Sequence, residues 1–382
     1  MAALGVIASV LLPIWLVTLG ASRTQIGFAL SLVALGGLVS RPLVGWALDA
    51  AGRKPVIYLG VVLCAAGIGA LGFVQELGIF LYVIQVFWGV GVGAFFTGIF
   101  TFAADHIPES RRTQGMAIFG VFGLVPLGLY GVVESLQIDG TMLYRVFWVI
   151  SGMIATSFFF LAVVPEVHQA PSRAVAQARA RVPMALRLRS VGRGLAAKEL
   201  LPIWLADVLF ASMFAVFLAF AAVTADSRGM EQPGHIWLAY AACALGVRTV
   251  GSGVMYRVGP ERVVAPALGL YIVAMVLCAT ASTPGLFILA GAFAGAGHGY
   301  CFPVLASLVV TRSSAEIRGV GFAFYTGLWD FSLFAMRPIC GYAADRWGDE
   351  RMYLGVALVV AVGVATLLWL ERGLRASSTR AA

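Results

Sequence analysis

The feature that most constrains this chain is a run without Asp, Glu, Lys or Arg that extends from Val263 to Thr311. About 20 apolar residues are enough for a helix to cross the hydrocarbon core of a bilayer, so the run is too long for one such helix. Inside it, the segment 281–285 reads Ala-Ser-Thr-Pro-Gly and contains a Pro-Gly turn signal. The run therefore predicts two membrane-spanning helices joined by a tight turn.

The rest of the chain has the same character. Only 12% of the 382 residues are charged, 60% are hydrophobic and the mean hydropathy is +0.93, whereas a soluble domain carries about 25% charged residues. We predict an all-α integral membrane protein with twelve transmembrane helices. These spans, numbered 1 to 12, are 2–20, 25–48, 55–74, 78–104, 114–133, 144–164, 199–224, 233–256, 262–281, 285–311, 319–343 and 352–370.

The net charge of +8 is distributed unevenly between the loops. Most of the 26 Lys and Arg residues fall on the same side as the loop that contains Arg53 and Lys54. Because cytoplasmic loops carry the excess of Lys and Arg, this side is predicted to be cytoplasmic, together with both termini, in a bacterial-type inner membrane. The high isoelectric point then needs no nucleic-acid partner. Five Arg residues are assigned to the opposite side: Arg23, Arg145, Arg228, Arg346 and Arg351.

Two further observations concern chemistry that the chain is expected to lack. The five cysteines lie in apolar spans without C-x-x-C spacing, so they are interpreted as small apolar fillers and not as disulfides or metal ligands. No Walker-type loop, nucleophile–base pair or metal-ligand spacing occurs. We expect no cofactor, no metal and no enzymatic activity, and an ion gradient as the source of any energy.

The first residues form an uncharged run from Met1 to Ser22 without a basic flank, which argues against a secretory signal. We interpret this run as span 1 itself, with a cytoplasmic leader absent or the start placed late.

A basic segment and an internal repeat divide the chain. Residues 165–198 contain seven Lys or Arg residues and three prolines and are predicted to form a cytoplasmic linker, with a helix on anionic headgroups or a partner-binding role as alternatives. On either side, Gly-x-Gly-x-Gly at 89–93 recurs at 295–299, and Arg41 and Gly52 recur 206 or 207 residues later in the same manner. The predicted domains are six-helix bundles at 1–164 and 199–382.

The hairpin after span 2 carries a recognisable pattern, which consists of Gly45, Asp49, Gly52, Arg53 and Lys54. Gly45 permits close helix approach, Asp49 lies at the membrane edge, and the two cations follow in the loop. This pattern resembles the loop signature between helices 2 and 3 of the major facilitator superfamily (MFS) of secondary transporters. With the repeat, the resemblance covers the whole chain and predicts the twelve-helix MFS fold.

The chain departs from the family pattern at two positions. Gln85 stands four residues before Gly89, where the family often has Arg, and Gln114 stands where an acid is common. Both departures replace a charge by an amide.

The resemblance implies that spans 1, 4, 7 and 10 line a central cavity and that span 2 of one bundle meets span 11 of the other. Arg41 in span 2 and Asp330 in span 11 lie at similar depths, at about 1.5 Å per residue, and we predict an inter-bundle salt bridge between them. It is interpreted either as a latch that breaks when the cytoplasmic side opens or as a static pair that holds the bundles together.

Four more ionisable residues within spans are functional candidates, because such groups are costly in lipid unless paired or hydrated. Asp207 is the only acid of span 7; it is predicted to be a coupling site, to bind a cationic substrate, or to neutralise Arg248. Arg248 pairs with Asp207 or faces an anionic substrate. His298 is a proton-coupling group or a structural hydrogen-bond partner. Arg337 is expected to snorkel to the outer headgroups or to contact substrate.

Amide and aromatic side chains are further candidates for the cavity wall, although packing explains them equally well. They are Gln85, Trp15, Trp88, Tyr300 and Trp329.

The predicted function is export of a small organic molecule by alternating access, driven by proton antiport through Asp207 or His298. The preference for export rests on the resemblance of the hairpin at 41–45 and of the loop after Pro108 to exporter-like members. Uptake or facilitated diffusion is the alternative that Gln85 and Gln114 favour, and a non-transporting scaffold or sensor is a distant one. The expected partners are the substrate, a proton and the bilayer, and the protein is expected to be a monomer.

Overall fold

The structure is a computed structural model of the chain. It describes residues 2–108, 143–166, 194–231, 233–251, 257–313 and 318–381, together with positions 119, 123, 127, 128 and 192. Predicted span 5 (114–133) and the linker (165–198) lie almost wholly outside the described residues.

The described residues form eleven α-helices and no strand, which confirms the all-α fold class. In chain order the helices are α1 (Ala2–Thr18), α2 (Arg23–Ala50), α3 (Arg53–Leu71), α4 (Ile79–His106), α5 (Leu143–Val163), α6 (Leu201–Ser227), α7 (His235–Thr249), α8 (Pro260–Thr280), α9 (Pro284–Arg312), α10 (Arg318–Trp347) and α11 (Asp349–Ala381).

Each helix coincides with one predicted span: α1–α4 with spans 1–4, and α5–α11 with spans 6–12. Eight of them are long and apolar enough to cross a membrane, namely α2–α6, α8, α9 and α11. Helices α1 and α7 are shorter, and α10 carries more polar residues. The number twelve stays a prediction because span 5 is not described.

Two glycines turn the chain between successive helices at pseudo-equivalent positions. Gly52 precedes α3 with φ +90° and Gly259 precedes α8 with φ +88°, a backbone region that residues with a side chain rarely adopt. At the other end of α2, Ser22 and Gln25 form a reciprocal capping box. Sharp turns at Gly52 and Gly259 place α2 and α3, and likewise α7 and α8, in antiparallel orientation.

Glycines also allow the central helix of each repeat to touch its neighbours. A Cβ on Gly89 of α4 would lie 2.1 Å from the carbonyl oxygen of Val33 in α2. In the second repeat, a Cβ on Gly295 of α9 would lie 2.1 Å from the carbonyl oxygen of Tyr240 in α7. Small residues permit such backbone-to-backbone packing, which holds helices together in lipid.

These contacts predict opposite effects of the same substitution at two glycines. Gly295→Ala is expected to lower the thermal unfolding midpoint of the purified protein, because overpacking costs about 1–3 kcal/mol. Gly269→Ala in α8 has no atom within 4 Å of the new Cβ, so it is expected to raise the midpoint slightly through better helix propensity. A thermal scan in detergent checks both; equal midpoints would contradict the packing described here.

The helices pack as two sets, α1–α5 and α6–α11. Within the first set α4 lies between α2 and α3, and within the second set α9 lies between α7 and α8. The sets meet chiefly where α2 packs against α10 and where α1 packs against α6. We call the membrane side of the Arg53 hairpin the Arg53 end and the opposite side, where α2 begins, the Arg23 end.

Candidate functional site

The interface between the two sets is tightest at the Arg23 end. A Cβ on Gly27 of α2 would lie 2.2 Å from the carbonyl oxygen of Arg337 in α10, and one on Gly341 of α10 would lie 2.3 Å from that of Arg23. No larger residue fits at either position without moving a backbone. The two helices are therefore in direct backbone contact over this half of their length.

A cluster of hydrogen bonds closes the same end. The Arg23 guanidinium bonds to Asp349 of α11, with Nη2–Oδ2 at 3.1 Å. The Thr24 hydroxyl and amide both donate to Asp345 of α10, at 2.6 and 2.8 Å. Thr224 of α6 also donates to Asp349, at 2.8 Å. Arg23 Nη2 also donates to the Val223 carbonyl oxygen of α6, at 3.4 Å, so the first turn of α2 is tied to three helices of the other set.

Further along the same interface lies the predicted Arg41–Asp330 ion pair. Arg41 Nε donates to Asp330 Oδ2 at 2.7 Å, and Nη1 donates to the Thr326 hydroxyl at 3.2 Å. The two side chains are 27% and 16% exposed. The structure brings these residues together across the bundles, whereas their role stays a prediction.

One turn beyond this pair, α2 and α10 separate. With 3.6 residues per turn, Gly45 lies on the face of α2 that also presents Gly27 and Arg41 to α10, yet no atom of a described residue lies within 4 Å of a Cβ built on it. Helices α4 and α9 occupy equivalent places in the two sets. Among the described residues they do not pack against each other as α2 packs against α10. Among the described residues, α2 and α10 are therefore in contact at the Arg23 end and apart at Gly45, towards the Arg53 end.

The ion pair has two interpretations, a latch and a static link between the bundles. Arg41 and Asp330 are bonded, and one turn further along α2 no atom of a described residue lies within 4 Å of a Cβ built on Gly45. Both interpretations stay predictions.

Asp207 lies fully buried in α6, a helix whose residues are almost all buried. Neither carboxylate oxygen has a hydrogen-bond partner among the residues that the structure describes. Asp330 and Tyr325 of α10 are near enough to interact with it electrostatically. The expected pairing of Asp207 with Arg248 is not formed, because the Arg248 guanidinium lies over the Phe302 ring, 5.8 Å from its centroid.

His298 of α9 lies within an aromatic cluster and is hydrogen-bonded. Its Nδ1 contacts the Tyr240 hydroxyl, which lies 3.3 Å from that of Tyr271. The structural interpretation of His298 thus has a partner, and its coupling role stays a prediction. The rings that surround it, with centroids 5.2–6.3 Å away, are Phe210, Phe214, Phe302 and Trp329.

The expectation that Arg337 reaches the outer headgroups is wrong. Its side chain is buried, and Nη1 donates to the Leu30 carbonyl oxygen of α2 at 2.6 Å. The close approach of α2 at Gly27 leaves this guanidinium inside the interface, so it stabilises the contact between the sets.

Gln85 of α4 is fully buried, and its amide atoms have no hydrogen-bond partner among the described residues. It lies two residues, about 200° of helix rotation, from Val83 and from Phe87, both exposed on the lipid side. Gln85 therefore faces the interior of the protein, as a cavity residue would.

The other aromatic candidates fall into two groups. Trp15 packs edge-on against Phe147 at 5.2 Å, and Trp88 is fully buried against Gly67, so packing explains both. Tyr300 donates to the Gly251 carbonyl oxygen at 3.5 Å. Only Trp329 belongs to the cluster around His298, where it also contacts Phe210 and Phe214 at 5.0 and 5.1 Å.

The family-like hairpin is anchored inside the first set. Arg53 Nε pairs with Asp105 at the end of α4 at 3.1 Å, and its Nη1 donates to the Leu48 carbonyl oxygen at 2.8 Å. Glu166 accepts from the amides of Arg53 and Lys54 at 2.5 and 3.3 Å. The Asp49 side chain lies outside the described residues.

Sequence reasoning missed the acids of the Arg23 end, Asp345 and Asp349, and the partner hydroxyl of Tyr240. These acids have no role in the sequence-based prediction, because they lie between the predicted spans 319–343 and 352–370. A carboxylate placed opposite the start of another span is the signal that would have suggested a helix-terminus contact.

Together these features define a multi-pass membrane protein in which two sets of helices enclose buried charges at their interface. The chain belongs to the major facilitator superfamily, whose model matches residues 1–336. It is 23% identical over 373 residues to the uncharacterized MFS-type transporter YhhS of Escherichia coli K12, which covers 92% of this chain and 84% of the relative. An MFS-type transporter of Burkholderia mallei is 24% identical, with 95% and 88% covered.

Solved structures share the fold at low sequence identity. A POT family transporter superposes with a TM-score of 0.80 at 13% identity, covering 97% of this chain and 94% of that one. The nucleoside transporter NupG superposes with 0.74 at 14% identity, covering 97% and 95%. The human organic anion transporter MFSD10 superposes with 0.67 at 17% identity, covering 96% and 97%. The family and these neighbours support membrane transport as the activity of this chain.

Proposed function

We propose that the protein moves a small organic molecule across the membrane by alternating access between the bundles 1–164 and 199–382. The observation that carries this proposal is the asymmetry of the α2–α10 interface, which is sealed at Arg23 and Gly341 and parted at Gly45. In the state that we propose, the central space is closed at the Arg23 end and open at the Arg53 end. Gly45 keeps the parted face of α2 free of side chains, so α10 can close onto it.

We infer that transport is proton-driven and that Asp207 is the coupling group. A buried carboxylate without a hydrogen-bond partner is costly in a membrane protein unless a cation or proton joins it. Asp207 is such a group, and Asp330 beside it is engaged by Arg41. Export is the proposed direction, on the exporter-like residues of the hairpin; the Arg53 end, open in this state, is then the cytoplasmic face of an inner membrane.

The test follows a panel of lipophilic cations, sugars and amino-acid-like metabolites in cells that express the protein, with and without a protonophore. Loss of one compound that depends on the protein and stops with the protonophore is expected. Movement that ignores the protonophore would replace proton coupling by facilitated diffusion or another ion, the alternative that Gln85 and Gln114 favour. No movement of any compound would favour a scaffold or sensor.

The state of the α2–α10 interface leads to a prediction for Gly45. Gly45→Leu fits the open structure, since no atom of a described residue lies within 4 Å of the new Cβ, but its side chain would block α10 from closing. We expect an unchanged thermal midpoint and at least about tenfold slower transport, the effect of some 1.4 kcal/mol on a conformational step. Gly355→Leu, on the exposed face of α11 and equally free of contacts, is the matched control. Normal transport by Gly45→Leu would refute closure on this face.

A further inference from the structure

A cavity of about 440 Å³ lies inside the second set of helices, apart from the α2–α10 interface. Its walls come from α6, α8, α9 and α11. None of the residues assigned to transport lines it. The walls are mostly apolar and include Ile203, Val264, Leu305, Leu308, Val364 and Leu367.

The cavity is situated at the membrane boundary of the Arg53 end. Its lining includes residues at the start of α8 and in the last part of α11, both of which lie on this side in the predicted topology. Two lining residues, Pro266 and Leu368, are exposed, so the cavity reaches the outer surface of α8 and α11. An apolar chain in the adjacent leaflet can therefore enter it from the side.

The charges at the rim are not equivalent. Arg312 is bonded to Glu261 at 2.6 Å and to Glu371 at 2.9 Å, so these three charges are engaged with one another. Arg262 also lines the cavity and is exposed, but it forms no ion pair with any residue in the described part of the chain. It is the rim cation whose charge is available to a ligand.

We propose that this cavity binds an anionic phospholipid, with one acyl chain inside the apolar walls and the phosphate on Arg262. The volume lies within the roughly 300–1,000 Å³ typical of sites for small molecules. Phosphate favours an arginine, and the two acids of the lining, Glu261 and Glu371, are held by Arg312. The lipid contacts four helices of the second set at once, namely α6, α8, α9 and α11. It therefore stabilises this set without entering the transport path.

The test uses native mass spectrometry of the purified full chain, titrated with phosphatidylglycerol and with phosphatidylcholine of the same acyl chains. Wild type is expected to retain one phosphatidylglycerol in preference to phosphatidylcholine. Arg262→Gln is expected to reduce this preference about fivefold, since one surface cation contributes about that factor. Arg257→Gln, an exposed cation five residues earlier that does not line the cavity, is the matched control and is expected to retain it.

A second variant tests the acyl chain. Ala265→Trp places a large ring in the lining and is expected to abolish retention of both lipids. Unchanged preference in Arg262→Gln, equal loss in Arg257→Gln, or full retention by Ala265→Trp would each overturn the proposal. Because Arg262 is exposed, its variant is expected to keep the wild-type thermal midpoint in detergent, and the lipid-binding result is read independently of whether transport is proton-driven.

Discussion

Asp207→Asn is expected to abolish proton-driven accumulation in proteoliposomes while leaving substrate exchange near the wild-type rate. The amide keeps the shape of the carboxyl group but cannot bind and release a proton. Because Asp207 accepts no hydrogen bond from any described residue, the substitution breaks no hydrogen bond in the described part of the chain. Uphill movement under an imposed pH gradient should fall to the level of empty liposomes, whereas counterflow of labelled substrate should persist.

Two controls make this result specific. Asp226→Asn changes the same charge on the exposed end of the same helix, and we expect it to preserve both activities. His298→Gln tests the other coupling candidate and is expected to lower the thermal midpoint through loss of the Tyr240 contact. Gradient-driven accumulation by Asp207→Asn at the wild-type rate would exclude Asp207 as the coupling group. If His298→Gln instead lost gradient-driven accumulation at an unchanged thermal midpoint, the coupling role would belong to His298.

The fold was predictable from the sequence because the bilayer imposes one length on every span. Runs of about 20 apolar residues, the turn glycines Gly52 and Gly259, and the recurrence of glycines after 206 or 207 residues were sufficient to place the helices. Even α10, which carries Asp330 and Arg337 in its middle, was placed within a few residues, since mostly apolar residues separate these two from each other and from the helix ends.

The site was less predictable because tertiary packing decides where each side chain points and how the helices move relative to one another. Depth along a helix was enough to pair Arg41 with Asp330. It did not reveal that Gly27 draws α2 against α10, which turns Arg337 inward to the Leu30 carbonyl oxygen. Likewise, the sequence offers no measure of which end is open, so it could not decide between a latch and a static pair for Arg41 and Asp330.

Neutralising one member of the Arg41–Asp330 pair is expected to impair both uphill transport and exchange, unlike Asp207→Asn. Arg41→Gln leaves Asp330 charged at the interface, and breaking such a pair costs about 3 kcal/mol, the low end for pairs that are more deeply buried. The double variant Arg41→Gln/Asp330→Asn removes both charges and should recover much of the thermal midpoint. Unfolding scans of the four proteins in this double-mutant cycle measure the coupling directly.

A thiol probe separates the two roles of this pair. The probe is Gly45→Cys, whose labelling reports how open the Arg53 end is. Cys243, the one described cysteine that is not buried, is replaced by Ser in the same protein. If the pair joins the bundles in both states, Arg41→Gln lowers the thermal midpoint without increasing labelling of this thiol from the Arg53 end. If the pair is a latch, labelling rises, because closure at Gly45 would lose its stabilising contact. The bonded pair beside an open Gly45 favours the first outcome.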